Sequence, residues 1–283
     1  MELIFMSIEP QNTPDIKKQK GEYWSRPGAG AIYDKGVSSS LGGIQIKNLV
    51  EGAIVSKNAH GLILDAGTGS GRFARALARD SSNTVIALDF SNEMLDQNKK
   101  LAEQAGINSI QYVQGDIEHL TFPDNYFDTV VSITVVRHFP QWQNILKEYV
   151  RVLKPNGKLV VEMCSANHIK MANRIWPRFG FEHSDGSFFN YEAEVTFDEF
   201  KAFLNSIGVD VEERLTYDYF NSNCFIKILT INGLGLRIFN KAFNTIFGIF
   251  PLPNIMAWLE LKVLRYLPPF FSYNYMVIGR KRK

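Results

Sequence analysis

The sequence predicts an α/β fold built on a mostly parallel sheet with helices on both faces. Short apolar runs that end in an acidic residue, Leu62–Asp65 and Thr84–Asp89, are typical of buried parallel strands. Residues with helical periodicity follow such runs, and Asn92–Gly106 is the clearest example. Strands that alternate with helices indicate successive strand–helix–strand units. A chain of 283 residues is long enough for one such domain with additions.

Composition narrows the class of protein. Hydrophobic residues make up 45% and charged residues 21% of the chain, which is ordinary for a globular protein with a full core. The net charge of +2 gives no support for a nucleic-acid partner. Cys164 and Cys224 form no C-x-x-C pair, so we expect no disulfide framework, no metal site and a cytoplasmic location. The N-terminal MELIFMSIEPQ lacks the basic region of a secretory signal.

The turn after the first strand has the composition of a nucleotide-like ligand site. Gly67, Gly69 and Gly71 stand at alternate positions before a helical stretch that starts at Arg72. Glycine allows positive φ and lets a ligand lie against bare backbone, and the helix start offers unpaired N–H groups. The dinucleotide fingerprint is G-x-G-x-x-G, but here the third glycine comes one position early. The alternative is a turn whose glycines serve packing only.

Two acidic residues at strand ends predict the polarity of the ligand. Asp65 opens the glycine turn, where a carboxylate suits an ammonium group better than a pyrophosphate. Asp89 lies 18 residues beyond Gly71 (89 − 71) at the end of the second strand. From that position an acidic residue typically binds ribose hydroxyls.

Three segments carry a resemblance to a known family. The pattern D-x-G-x-G-x-G at Asp65–Gly71 resembles the S-adenosylmethionine (AdoMet) loop of class I methyltransferases. FPDNYFDTVVS (122–132) and HFPQWQNILKEYVRVLKPNGKLVVE (138–162) are similar to the type 11, small-molecule group of that family. The resemblance covers residues 62–163. It implies a seven-stranded sheet whose last strand is antiparallel, AdoMet as cofactor and S-adenosylhomocysteine (AdoHcy) as product.

The resemblance also implies a set of cofactor contacts at the carboxyl ends of the strands. Phe90 and Met94 would line the adenine side, and Asp116 would lie at the adenine amino group. The cofactor residues that we predict are Asp65, Ala66, Gly67, Thr68, Gly69, Gly71, Asp89, Phe90, Met94, Asp116, Ile117 and Ser132.

His138 is the candidate catalytic residue, because an imidazole can exchange a proton near neutral pH. The alternative is that His138 only orients its loop or caps the next helix. The N/D-P-P-Y/F signature of amino- and amide-methylating enzymes is absent after the fourth strand, where Ser132–Val135 stands instead.

We therefore expect an AdoMet-dependent methyltransferase that acts on a small, hydrophobic molecule, with O-, C- or N-methylation open. The alternatives are an RNA or protein methyltransferase, or a binding protein that keeps the fold without turnover. An NAD enzyme is disfavoured by the glycine spacing. The sequence identifies neither the substrate nor the oligomeric state.

The chain divides into four predicted parts. Residues 1–40 form an N-terminal arm, irregular to about residue 20, and 22–36 is either a surface loop or a lid with Tyr23 and Tyr33 over the cofactor. Residues 41–220 form the AdoMet-binding core, and a capping box at Thr196–Glu199 starts one of its helices. Residues 221–271 form an apolar helical insertion, and 272–283 hold the last strand and a basic tail.

The insertion has three alternative roles. Residues 242–259 carry no charge, but Pro251 and Pro253 interrupt them, so a membrane-spanning helix is not expected. Two amphipathic helices could cap an apolar substrate pocket, pack as plain core, or lie on a membrane surface as a peripheral contact. We expect the first, with Phe243, Phe247 and Trp258 facing the pocket.

Overall fold

The computed structural model describes residues 13–38, 42–167, 193–219, 245–246, 248–267, 272 and 274–283. The strands are β1 (Leu62–Ala66), β2 (Thr84–Asp89), β3 (Ile110–Gln114), β4 (Phe127–Ser132), β5 (Leu153–Ser165), β6 (Glu194–Val195), β7 (Val209–Tyr217) and β8 (Asn274–Lys281). The α-helices are α1 (Thr13–Trp24), α2 (Ala29–Val37), α3 (Gly42–Asn58), α4 (Arg72–Leu77), α5 (Asn92–Gln104), α6 (Trp142–Val152), α7 (Phe197–Ser206) and α8 (Leu252–Lys262).

Seven strands form the sheet in the order β3-β2-β1-β4-β5-β8-β7, and the two-residue β6 pairs with the end of β5. The first five are parallel to their neighbours, whereas β8 is antiparallel to both β5 and β7. The expected mostly parallel, seven-stranded class I methyltransferase sheet with an antiparallel last strand is therefore confirmed.

Helices cover both faces of the sheet. Helices α6 and α7 pack on one face, where Leu64 of β1 points, and α3, α4, α5 and α8 pack on the other, where Ile63 points. Neighbouring residues of a strand face opposite sides, so the continuous apolar runs of these strands fill two cores at once.

The parallel strands end together at one edge of the sheet, which we call the carboxyl edge. From the central β1 the chain first builds β2 and β3 on one side and then crosses to β4 and β5 on the other. A parallel sheet opens a crevice for ligands outside the strand ends at such a reversal of order. This reversal positions the site that the sequence predicts.

The N-terminal segment differs from the expectation. Helix α1 already begins at Thr13, so the prediction of an irregular chain to about residue 20 is wrong, and α2 replaces most of the loop expected over 22–36. Glycine explains why a loop was expected over 22–36. A β-carbon on Gly30 would stand 2.5 Å from the carbonyl oxygen of Glu93, so this glycine lets α2 pack directly on α5. Its role is close helix packing, which sequence alone does not distinguish from a turn.

Helix α8 is the described helix of the 221–271 insertion. It packs along α3, where Ala257 is buried and Met256 and Leu261 join the core on that face of the sheet. The Glu260 carboxylate accepts hydrogen bonds from the backbone N–H groups of Asp218 and Tyr219, at 2.9 and 3.0 Å. One side of α8 is thus fixed against the core. None of the described helices has the length and apolarity needed to cross a membrane.

Candidate functional site

A cavity of about 360 Å³ opens at the carboxyl edge, between the loops that follow β1, β2, β3 and β4. Helices α1 and α2 close its outer side. Its lining residues in the described chain are Lys20, Gly21, Trp24, Tyr33, Gly67, Gly69, Asp89, Phe90, Met94, Gly115, Asp116, Ile117, Thr134, Val135, His138 and Phe139.

The glycine turn contributes bare backbone to this cavity. Gly67 and Gly69 have φ angles of 74° and 54°, a region that favours glycine. A β-carbon on Gly67 would stand 2.6 Å from the Val135 side chain, and one on Gly69 would stand 3.1 Å from the Tyr33 ring. The turn is held against β2 by the Gly67 N–H, which donates to the carbonyl oxygen of Leu88 at 2.8 Å. These two glycines therefore let Val135 and Tyr33 pack directly against the turn, whose backbone lines the cavity.

The Asp89 carboxylate is held by two backbone N–H groups. Its Oδ2 accepts from the Gly69 N–H at 2.9 Å and its Oδ1 accepts from the Ser91 N–H at 3.0 Å. Burial raises the pKa of Asp89 to about 6, although the backbone N–H donors oppose the shift. A carboxylate has about four lone-pair sites, so each oxygen can accept a further hydrogen bond from a ligand.

Asp65 lies behind the cavity wall. It is 2% exposed and accepts a 2.6 Å hydrogen bond from the Thr68 hydroxyl. Burial raises the pKa of Asp65 to about 6, against the effect of the Thr68 bond. Asn98 of α5 donates in turn to Thr68 at 3.5 Å. This chain of side chains braces the glycine turn from the side that faces the sheet.

Five of the predicted cofactor residues share this supporting position and do not line the cavity. The Ser132 hydroxyl donates to the carbonyl oxygen of Ala66 at 3.0 Å. A β-carbon on Gly71 would stand 1.9 Å from the Asn98 side chain, so Gly71 serves the packing of α4 against α5. The five are Asp65, Ala66, Thr68, Gly71 and Ser132, and their direct contact with a cofactor stays a prediction.

The other seven predicted cofactor residues come together in the cavity wall. Met94 and Ile117 are buried apolar side chains, whereas Phe90 is 37% exposed. Asp116 stands beside them, and its Oδ1 accepts from the Glu118 N–H at 3.0 Å. The seven are Gly67, Gly69, Asp89, Phe90, Met94, Asp116 and Ile117.

Helices α1 and α2 form the outer wall. Tyr33, one of the two expected lid residues, lines the cavity, and burial raises its pKa. Tyr23 is outside the wall, with its ring edge-on to Trp24 at 4.7 Å between centroids. The Ser91 hydroxyl donates to the carbonyl oxygen of Trp24 at 2.7 Å and so docks α1 on the start of α5.

The loop after β4 forms the end of the cavity that holds the candidate catalytic residue. His138 lines it, and Lys20 of α1 donates to the His138 carbonyl oxygen at 2.9 Å. Thr134 has a φ of 63°, which is rare for a β-branched residue and typical of strained positions at functional sites. Sequence reasoning missed Lys20, Trp24, Thr134, Val135 and Phe139 as wall residues; only the place of the last three after a strand end signalled them.

A buried network of charges lies next to this loop. Arg137 stands 3.6 Å from Glu162 of β5, and the Tyr217 hydroxyl lies 2.8 Å from a Glu162 oxygen and 3.0 Å from a Glu51 oxygen, with one proton to share between them. Although burial acts to raise it, the pKa of Glu162 is held below its ordinary value by the charges of Arg137 and Lys47. Buried charges persist only when they are paired, so this network fixes the loop that carries His138.

The described part of the insertion is away from the cavity. Trp258 is 57% exposed and none of the residues 245–246 and 248–267 lines the wall, so the expectation that Trp258 faces the pocket is wrong. The apolar side of α8 is used against α3 instead. Phe243 and Phe247 lie outside the described residues. Across the part of the chain that the structure describes, His, Cys, Asp and Glu side chains form no group that could hold a metal ion.

The wall fits a nucleoside that carries a charged side chain. Asp89 and Asp116 offer acceptors for ribose and base, and Phe90, Met94 and Ile117 offer apolar surface to a flat ring. Gly67 and Gly69 present backbone to the cavity instead of side chains.

The sequence is similar to those of known methyltransferases. Residues 64–161 match the methyltransferase-domain family of type 11. Over 157 residues the chain is 32% identical to a sterol 24-C-methyltransferase of Yarrowia lipolytica, covering 53% of this chain and 39% of that protein. Over 122 residues it is 32% identical to a ubiquinone/menaquinone biosynthesis C-methyltransferase of Vibrio cholerae, covering 42% and 47%. The chain thus spans less than half the length of these two relatives.

The fold also matches solved structures. The magnesium protoporphyrin IX methyltransferase of Synechocystis, solved with bound AdoHcy, superposes with a TM-score of 0.59. The match covers 94% of this chain and 99% of that one at 14% identity, which is a likeness of fold.

Proposed function

We propose that the chain is a class I AdoMet-dependent methyltransferase, with residues 64–161 in its type 11 domain, and that it transfers a methyl group from AdoMet to a small apolar molecule. One observation carries the proposal. One cavity is lined by Gly69, Asp89 and Asp116, which would bind the nucleoside, and by Val135, His138 and Phe139 at the end formed by the loop after β4.

The residues of the cavity would hold AdoMet by complementary contacts. Asp89 would accept hydrogen bonds from the ribose hydroxyls, and Asp116 would accept one from the adenine amino group. Phe90 and Ile117 would contact the adenine ring. The backbone at Gly67 and Gly69 would lie along the amino-acid part, with Asp65 behind it as the negative charge closest in sequence to the turn.

AdoMet, when bound, supplies an electrophilic methyl group on a sulfonium sulfur. The acceptor atom forms a bond to that carbon while the carbon–sulfur bond breaks, and its electron pair stays on sulfur in AdoHcy. His138 would accept the proton that the acceptor releases. Helices α1 and α2 close the cavity from outside, so that much of the rate enhancement would come from positioning and exclusion of water.

The acceptor is proposed to be an apolar small molecule, because Val135 and Phe139 leave few polar partners for it at that end. The relatives named for sterols and for ubiquinone and menaquinone biosynthesis make carbon the first acceptor atom to test. Two proposals accompany this one. The chain acts in a reducing, cytoplasmic compartment, and it divides at 1–40, 41–220, 221–271 and 272–283.

A substrate screen tests the proposal. The purified protein is incubated with AdoMet and with panels of sterols, quinols, phenols, small amines, RNA and protein substrates, and AdoHcy release is measured. We expect release above background with at least one apolar hydroxylated compound, and its loss in Asp89→Ala. Release only with RNA or a protein substrate would contradict the proposal, as would a protein that binds no AdoMet.

A further inference from the structure

Large apolar side chains are exposed on helix α8, in the segment before it and in the segment after it. The helix buries Pro253, Ala257 and Glu260, which are spaced as one face, and places Ile255 and Trp258 outward at 51% and 57% exposure. An ordinary surface helix is polar on its outer side. We call the exposed set the apolar face, and it consists of Ile246, Ile249, Phe250, Ile255, Trp258, Val263, Tyr266 and Leu267.

The charge around the apolar face is basic. Glu260 is the only acidic residue between positions 221 and 271, and it is 1% exposed and bonded to the backbone of Asp218 and Tyr219. Lys262 is exposed one turn after Trp258 on the same side of the helix. Exposed rings and aliphatic side chains beside a lysine, with the acid turned inward, are typical of a helix that lies in a membrane interface.

The placement of α8 links the apolar face to the cavity's edge of the sheet. Strand β7 is antiparallel to β8 and β8 to β5, so β7 runs parallel to β5 and also ends at the carboxyl edge. Asp218 and Tyr219 follow the last residue of β7, and Glu260 binds their N–H groups. The end of α8 is therefore fastened at the edge where the cavity opens.

We propose that the apolar face binds the surface of an anionic lipid bilayer. Phe250 and Trp258 enter the boundary between headgroups and acyl chains, and Lys262 stays at the level of the anionic headgroups. A second copy of the chain is a poorer occupant. A two-fold interface sets a face against itself, and this one offers Lys262 no exposed acidic partner. The proposal rests on exposed residues and holds whether or not the proposed methyl transfer does.

Flotation with vesicles tests the proposal on the whole protein. Vesicles of phosphatidylcholine alone are compared with vesicles that also contain phosphatidylglycerol. We expect binding to the anionic vesicles, reduced about tenfold in Phe250→Ser and in Trp258→Ser. Lys262→Gln is expected to lower binding about fivefold on anionic vesicles and not on neutral ones.

Ile32→Ser is the matched control, because Ile32 is 59% exposed on α2, outside the apolar face, and this variant is expected to bind as the unchanged protein does. Circular dichroism confirms folding of each variant, and Phe250, at 80% exposure, gives a second test should Trp258→Ser unfold. Absence of flotation, or equal flotation of all variants, overturns the proposal. A dimer in sedimentation that Trp258→Ser dissociates, without flotation, assigns the face to a second copy and also overturns it.

Discussion

The backbone N–H of Gly69 donates a 2.9 Å hydrogen bond to Oδ2 of Asp89. The bond joins the turn after β1 to the end of β2, so the two elements predicted to hold AdoMet are fixed relative to each other. The Ser91 N–H holds the other carboxylate oxygen at 3.0 Å. The proposed acceptor for the ribose is therefore oriented by the protein itself, which would lower the entropic cost of binding.

Replacing Asp89 should weaken cofactor binding while the fold remains. Asp89→Ala removes an acceptor of charge-assisted hydrogen bonds, so we expect AdoHcy affinity to fall by roughly 2–4 kcal/mol in calorimetry. Asp96→Ala is the control, because Asp96 is exposed on the neighbouring helix α5. Equal affinities of the two variants would place the ribose elsewhere.

Comparison of Gly69→Ala with Gly106→Ala should separate the effect of backbone strain on stability from a direct effect on cofactor binding. Gly69 and Gly106 both have positive φ, at 54° and 68°, so alanine at either costs about 1–2 kcal/mol of stability. Only Gly69 has a close neighbour, the Tyr33 ring, and Gly106 has open space. We expect stability losses in urea unfolding for both variants, the larger in Gly69→Ala because its β-carbon meets the Tyr33 ring, but loss of AdoHcy affinity in Gly69→Ala alone. An affinity unchanged by Gly69→Ala would show that this backbone does not face the cofactor.

The burial of Asp65 predicts a dependence of stability on pH. The folded-state pKa of about 6 is above the ordinary 3.8, so the folded protein binds more protons between these values. The stability contributed by the neutral form is therefore full below about pH 4 and is lost as the pH rises to about 6. Relative to Asp65→Asn, the unchanged protein should lose on the order of 2–3 kcal/mol between pH 4 and 7 in urea unfolding. A difference that does not vary with pH would mean that Asp65 is not desolvated.

His138→Gln tests the proposed proton acceptor. We expect kcat to fall roughly 100-fold or more with AdoHcy affinity unchanged, because glutamine fills the site without accepting the proton. His119→Gln is the control, since His119 is exposed and outside the cavity wall. A kcat for His138→Gln that matches the control would leave His138 with the role of orienting its loop.

The positions of the central strands were the most predictable part of the structure. The apolar runs at Leu62 and Thr84 are buried on both faces, and burial on both faces leaves an unmistakable continuous pattern. The helix starts were equally predictable where a local side chain caps them. Ser91 accepts from the Met94 N–H, and Thr196 forms the expected capping box with Glu199.

The N-terminal helices, the roles of individual glycines and the position of the insertion depended on contacts between segments far apart in sequence. Gly30 suggested a loop, but it serves the packing of α2 on α5, and Gly71, whose contact with a cofactor stays a prediction, also makes room for Asn98. Trp258 suggested a pocket wall, but Ala257 and its neighbours occupy the buried side of α8. In a sequence, a glycine indicates close packing and an apolar residue indicates burial. The tertiary structure is needed to identify the residue that packs against it.

Calorimetric titration of the purified protein with AdoHcy and, separately, with NAD tests the central claim most directly. The glycine spacing from Gly67 to Gly71 and the fixed Asp89 predict micromolar binding of AdoHcy and no binding of NAD. Binding of NAD without binding of AdoHcy would contradict the assignment of this site to AdoMet.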